Sequence, residues 1–197
     1  LTVIEDPRVM FSPEDRAKKK AALTKIQPIL TQATLAQTTI VGLRANVSAA
    51  IEGWKRPGTP QPPANVKTAA EELLKKIDAA YLNWGTPPSL VSNISSAGPP
   101  LVELPTPLNQ RVAQLLGAIE GTSGAPSDWE LAQIDVLAKR IPPAADEVRK
   151  LVSEDLAALN AMMLEAKIPY IAAPTLGGGG GQGRRPPIED DDIDHDR

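Results

Sequence analysis

Apolar side chains recur every three or four residues along most of the chain, which is the spacing of one face of an α-helix. The longest such stripe belongs to a first predicted helix that begins after Ser12 and reaches Trp54. Its predicted inward residues are Ile26, Ile29, Ala33, Ala36, Ile40, Leu43, Val47, Ile51 and Trp54. The pattern therefore predicts a long helix that packs against a core along most of its length.

Three further helices are predicted over residues 64–84, 106–121 and 127–167. The predicted inward residues are Val66, Ala70, Leu73, Ile77, Ala80 and Trp84 in helix two, Leu108, Val112, Leu115 and Ile119 in helix three, and Val148, Val152, Leu156, Leu159 and Met163 in helix four. Most of the 20 prolines fall between these stretches, which supports the division because proline disfavours helix interiors.

Capping residues mark three of the helix starts. Ser12 is followed by Pro13, which suits the first turn because that position needs no amide donor. Ser127 forms an S-x-x-E capping box with Glu130. Thr106, which also precedes a proline, is the predicted cap of helix three. These signals predict where helices one, three and four begin.

Proline also occurs inside two of the predicted helices. Pro28 lies in helix one, and Pro142 and Pro143 lie in helix four. A proline in a helix interior lacks an amide and clashes with the carbonyl one turn earlier, at a cost of about 3 kcal/mol in a straight helix. The sequence therefore predicts a kink at Pro28 and an interruption at Pro142 and Pro143.

These elements predict an all-α protein, arranged as an up-down four-helix bundle with two long kinked helices and two shorter ones. The low aromatic content, 3%, agrees with helices rather than sheets. In the predicted up-down-up-down order, Trp54 and Trp129 lie at one end, Trp84 lies toward the other, and each tryptophan packs into the core. The end formed by helices one and four alone is expected to be covered by apolar residues of the connector 90–104 and by Ile168, Tyr170 and Ile171.

The chain divides into three predicted parts. Residues 1–11 are expected to be the terminal strand and linker of an upstream domain outside this chain, because LTVIED alternates like a short strand and a single strand is not stable alone. Residues 12–173 form the helical bundle. Residues 174–197 form a Gly-rich, acidic tail that is expected to be disordered, since it has little apolar surface to bury. The start at Leu1 favours a fragment of a longer protein.

Charge is concentrated in the tail. Of 21 basic and 24 acidic residues, three arginines and six acids lie in 184–197, so the rest of the chain is electrically balanced. A balanced body lacks the basic surplus of a phosphate-binding surface, and nucleic acid is not an expected partner. No apolar run approaches the roughly 18 residues of a membrane span, so none is expected.

The residue types offer little catalytic chemistry. The chain has no cysteine, and its one histidine is His195, so thiol catalysis, histidine triads and most transition-metal sites lack their usual groups. The adjacent carboxylates Glu71-Glu72, Asp146-Glu147 and Glu154-Asp155 are expected to be solvated, because neighbouring helical residues point about 100° apart. No catalytic, cofactor-binding or metal-binding residue is predicted, and no cofactor.

Three segments resemble the C-terminal region of bacterial sortilin-like, BNR-repeat propeller proteins, which are often labelled glycosyl hydrolases. They are the opening LTVIEDPRV, the stretch LNQRVAQLLGAIEGTSGAPSDWELAQIDVLAKR and the ending LVSEDLAALNAMMLEAKIPYI, and the resemblance covers roughly residues 1–171. It implies a helical appendage that follows the propellers and a small β domain, whose last strand corresponds to residues 1–6. The catalytic residues of the propeller have no counterpart here, so the resemblance assigns no active-site position.

The leading hypothesis is a non-catalytic helical module whose partner is the upstream propeller or β domain of the same protein. The resemblance also favours a periplasmic or secreted location. Two alternatives remain open: an accessory part of a glycoside hydrolase that is active only in the full-length protein, and an adaptor that docks through its acidic tail. The sequence does not determine the oligomeric state.

Overall fold

The computed structural model describes residues 11–90 and 105–174. Within these ranges the chain is helical and contains no strand, which confirms the all-α prediction. The helices are α1 (Pro13–Trp54), α2 (Ala64–Tyr81), α3 (Leu108–Gly121), α4 (Asp128–Lys150), a π-helical segment (Leu151–Leu156) and α5 (Ala157–Glu165). The predicted strand, most of the connector and residues 175–197 of the predicted disordered tail lie outside the described residues.

Two of the three predicted helix caps are present. The Ser12 side chain accepts the amide of Asp15 at 3.0 Å. Ser127 accepts the amide of Glu130 at 3.3 Å, and the Glu130 carboxylate accepts the amide of Ser127 at 2.7 Å, which completes the capping box. Sequence and structure therefore agree on the starts of α1 and α4.

The predicted cap at Thr106 is wrong. α3 begins at Leu108, and its N-cap position is Pro107, which makes no side-chain cap hydrogen bond. The amide of Leu108 instead donates to the carbonyl oxygen of Asn83 at 2.9 Å. A tertiary hydrogen bond to the end of the preceding helix thus satisfies the amide at the start of α3, so a threonine cap is not needed there.

The internal prolines do not end their helices. α1 is helical through Pro28, and α4 is helical through Pro142 and Pro143, where an interruption was predicted. Pro28 and Pro143 are exposed, and water can bond the carbonyls that lose a donor on that side. The hydrogen-bond pattern changes later, in the π-helical segment, which the sequence did not predict. Kinks at these prolines remain a prediction.

The polar contacts of α1 fix the directions of the other helices. Lys19, near the start of α1, donates to the carbonyl oxygens of Glu120 at 2.9 Å and Thr122 at 2.7 Å, at the end of α3. Arg44, far along α1, pairs with Asp78 near the end of α2. The hydrogen bond between Leu108 and Asn83 joins the end of α2 to the start of α3. Both shorter helices therefore run antiparallel to α1, one after the other.

This arrangement corrects the predicted up-down-up-down order, in which α3 runs parallel to α1. Because α3 begins at the place where α2 ends, the chain continues in the direction of α2. The last column then returns alongside α1: Lys25 of α1 pairs with Asp135 of α4, and Asn46 of α1 donates to the carbonyl oxygen of Ala172 beyond α5.

The predicted apolar stripes form the core. Every predicted inward residue is buried except Ile51 and Val152, which are half-buried and pack against the core. The first half of α4 adds four buried residues that the prediction did not include: Ile134, Leu137, Ile141 and Ala145. One continuous apolar core therefore extends along α1.

The tryptophans differ from the prediction. Trp54 and Trp84 are buried, as expected. Trp129 is 66% exposed and lies at the end of the molecule where α1 begins, whereas Trp54 ends α1. The predicted burial of Trp129, and its predicted placement beside Trp54, are therefore wrong, because α4 runs in the same direction as α1.

The ion pair between Arg44 and Asp78 is expected to couple α1 and α2 more strongly than the pair between Lys25 and Asp135 couples α1 and α4. The Arg44 Nε atom lies 2.6 Å from the Asp78 carboxylate, and the two side chains are only 16% and 21% exposed. A double-mutant cycle with R44M and D78N should give a coupling of about 1–2 kcal/mol by urea unfolding. The same cycle at the exposed pair, with K25M and D135N, is the control, and an equal or larger coupling there contradicts the prediction.

The pH dependence of the Lys25–Asp135 pair has a definite sign. The hydrogen bond and the charge of Lys25 lower the pKa of the Asp135 carboxyl. A lowered pKa in the folded state means that the stabilisation is present above the unfolded-state pKa and is lost as the pH falls through the folded-state pKa. In an NMR titration, K25M should return the pKa of Asp135 toward its ordinary value, and an unchanged pKa would count against the contact.

Candidate functional site

The solvent-facing side of α1 lacks charge over a long stretch, from Ile26 to Leu43. A stretch of this length carries about four charged residues in an average protein. The exposed residues of this stretch, which we call the outer face of α1, are Gln27, Pro28, Thr31, Thr34, Leu35, Thr38 and Val41. Leu35 and Val41 are 43% and 42% exposed. A long, uncharged surface of this kind is typical of a contact region rather than of a freely solvated helix face.

The threonine hydroxyls of this region already have acceptors in the helix itself. Thr31 donates to the carbonyl oxygen of Gln27 at 3.1 Å, and Thr38 donates to that of Thr34 at 2.9 Å. The buried Thr39 donates to the carbonyl oxygen of Leu35 at 2.8 Å. Because these donors are already paired, removing water from the outer face costs less than the side-chain types suggest.

An apolar groove of about 510 Å³ lies beside the outer face, between α1 and the column formed by α4 and the π-helical segment. Its apolar lining residues are Leu35, Ala36, Ala145, Val148, Val152, Ala173 and Pro174. Gln32, Thr39, Arg149 and Ser153 complete the lining, and Arg149 is paired with Asp146. The groove therefore suits apolar side chains better than a charged or strongly polar ligand.

The segment that follows α5 closes one end of this groove. α5 ends in a Schellman motif, in which Lys167 takes a left-handed conformation (φ 56°) and the amide of Ile168 donates to the carbonyl oxygen of Met163. The side chain of Asn160 then makes two hydrogen bonds with the backbone of Ile171, at 2.8 and 2.9 Å. These contacts bring the chain back across α1, and Pro174 reaches the groove.

Ile171 is buried and Ile168 packs against the core, as expected, but Tyr170 is 74% exposed and does not cover the end of the bundle. The alternation of buried and exposed residues follows from the extended backbone between Asn160 and α1.

A second exposed site surrounds Trp129, in the first turn of α4. Trp129 borders a cavity of about 290 Å³ between α3 and α4, together with Arg111, Gln114 and Gln133. We call these four residues the Trp129 surface. Arg111 lies 3.4 Å from the Gln133 side-chain oxygen, so the indole is flanked by polar groups. An exposed tryptophan with a polar margin resembles the centre and rim of a protein interface.

The Trp129 surface lies at the end where the described chain begins. The Arg16 guanidinium donates to the carbonyl oxygen of Phe11 and lies 5.4 Å from the centre of its ring. Glu14, through a hydrogen bond, raises the pKa of the Lys18 amine, and Asp128 adds a weaker effect in the same direction. Because Asp128 is next to Trp129, the first turns of α1 and α4 lie close together.

The carboxylate pairs found in the sequence do not converge on a common site. Glu71, Glu72, Glu147 and Glu154 are exposed. Asp146 is paired with Arg149, and Asp155 pairs with Lys76 at 2.5 Å, which raises the pKa of the Lys76 amine. Among residues 11–90 and 105–174, no group of His, Asp or Glu side chains has the arrangement to hold a metal ion. His195 lies outside the described residues.

Sequence reasoning missed both exposed sites, although each has a signal. The outer face of α1 is marked by the absence of Lys, Arg, Asp and Glu between Lys25 and Arg44. Trp129 is five residues before the buried Ile134, which places it out of phase with the stripe of α4. Both signals depend on what is missing from a pattern rather than on a motif.

Comparison with family models, curated proteins and solved structures found no match to this chain. Among the described residues, no helix has the length and apolar content that crossing a membrane requires.

The approach of Pro174 to Gly42 can be tested by substitution. A Cβ atom at Gly42 would lie 3.0 Å from the Pro174 Cβ atom, whereas one at Gly117 of α3 meets nothing within 4 Å. Replacing a helical glycine with alanine gains about 1 kcal/mol where space allows. G117A should therefore stabilise the protein against urea unfolding, and G42A should gain clearly less.

In the double variant G42A/P174G the close neighbour is gone, so the gain of alanine at position 42 should return relative to P174G alone. Equal gains for G42A and G117A in the otherwise unchanged chain would show that Pro174 does not rest on α1.

Proposed function

We propose that this chain is a non-catalytic helical interaction module of a larger protein, and that it contacts the preceding domain of that protein through the Trp129 surface. The observation that carries the proposal is the 66% exposure of Trp129 at the end of the molecule where Phe11 lies. A domain joined before residue 11 has this surface within reach, because the first turns of α1 and α4 lie side by side.

The energetics favour an interface at this position. Tryptophan and arginine are the residue types that most often dominate the free energy of protein association. Burying the exposed part of an indole is favourable at about 25 cal/mol per Å². Arg111, Gln114 and Gln133 provide donors and acceptors around it, so a partner's backbone can bond at the margin.

The identity of the larger protein is supported by the resemblance of residues 1–171 to the C-terminal region of sortilin-like propeller proteins. On this proposal, the preceding domain is the propeller or the small β domain, and the protein is secreted or periplasmic. The absence of cysteine from the sequence and the position of its one histidine in the tail support the non-catalytic part of the proposal.

The proposal predicts that W129A weakens binding to the separately purified domain encoded before Leu1. Removing a central tryptophan costs at least about 2 kcal/mol at an interface, which is roughly a thirtyfold loss of affinity by isothermal titration calorimetry. Y170A, at the other end of the molecule and also highly exposed, is the matched control and should bind as the unchanged chain does.

Three results would overturn the proposal. One is a gene that encodes no domain before Leu1, and another is unchanged affinity in W129A. The third is glycoside hydrolysis by the purified chain that disappears when one of its own carboxylates is substituted. Circular dichroism of W129A should match the unchanged chain, since the side chain is largely outside the core.

A further inference from the structure

We propose that the outer face of α1 binds the same face of a second copy of this chain, with the two α1 helices antiparallel around a twofold axis near Thr34 and Leu35. This interface is separate from the Trp129 surface. Lys18, near Trp129, lies about 26 Å from Leu35 along the axis of α1, at about 1.5 Å of rise per residue.

The distribution of charge supports a second copy as the partner. A twofold interface requires a surface that is complementary to itself, so any unpaired charge close to the axis meets its own kind. The uncharged stretch from Ile26 to Leu43 is centred on Thr34 and Leu35. Antiparallel pairing around this centre therefore brings no like charges together anywhere along the stretch.

The charges that flank the stretch are also accommodated. Antiparallel pairing places Lys25 of one copy near Arg44 of the other. Each cation already has a carboxylate partner in its own chain, Asp135 at 2.7 Å for Lys25 and Asp78 at 2.6 Å for Arg44. The two ends of the interface thus meet as neutralised ion pairs, and their repulsion is weak.

The facing positions are compatible with a dry contact. Around this axis Leu35 lies opposite Thr34 of the second copy, and Thr31 lies opposite Thr38. The hydroxyl donors of Thr31 and Thr38 are already bonded within α1, so they need no partner across the interface. The groove beside Leu35 has a volume of about 510 Å³, well above the ~150 Å³ cavity that holds a benzene molecule. It can receive Leu35 of the second copy.

The size of the surface agrees with a weak dimer. The uncharged stretch of α1 is about 27 Å long, and α1 with the adjoining side of the groove is about 20 Å wide, which gives roughly 540 Å² in projection. The accessible area of a ridged helix surface exceeds its projection. Specific complexes bury about 600 Å² or more on each partner at the small end of their range. We therefore expect a dissociation constant in the micromolar range.

Sedimentation velocity of the full chain tests the proposal. Over about 1–500 µM the unchanged chain should shift from monomer to dimer, and L35D should raise the dissociation constant at least tenfold because it places a carboxylate near the axis. L164D is the matched control, since Leu164 is 77% exposed on α5 and lies outside the face, and it should dimerise normally. W129A should also dimerise normally, so this proposal and the proposed function can fail separately.

The absence of cysteine from the sequence allows a second, independent test. T34C places one thiol beside the axis in each copy and should form a disulfide-linked dimer under mild oxidation much faster than L164C. A chain that is monomeric at every concentration overturns the proposal. So does a dimer that L35D leaves intact, or one in which T34C links no faster than L164C.

Discussion

The structure depends on the apolar contact along one side of α1. This helix has 42 residues and contacts α2, α3 and α4, so each of the other columns is positioned against it. Its buried residues run from Ala22 to Trp54 without a gap of more than seven positions. Burial on this scale outweighs the cost of Pro28, which is exposed and leaves the core side of the helix intact.

Polar contacts between columns fix how the helices align rather than how strongly they associate. The pairs Lys25–Asp135, Arg44–Asp78 and Lys76–Asp155 each join two columns at a different level. Exposed ion pairs contribute little to stability, but a mismatched charge is unfavourable, so these pairs select one alignment of the apolar stripes. They also use up the cations that flank the outer face of α1.

The surfaces left over by this packing explain where contacts with other molecules are available. The core side of α1 is fully used, and its outer side is free of charge from Ile26 to Leu43. The segment after α5, held by Asn46 and Asn160, closes one end of the groove beside it. Trp129 lies at the opposite end from Trp54, so the two exposed sites are separated along the molecule. One protein of this shape can therefore contact two partners without competition between them.

The sequence alone determined the helical class, the starts of α1 and α4 and almost all of the core, because capping and the 3.6-residue period are local properties of the chain. Only the tertiary structure decided that α3 continues in the direction of α2. That direction depends on the hydrogen bond between Leu108 and Asn83, whose partners are far apart in the sequence and carry no local signal. The exposure of Trp129 has the same origin, since a side chain can be buried only where another column covers it. Periodicity identifies the faces of each helix, and the path of the connections decides which faces meet.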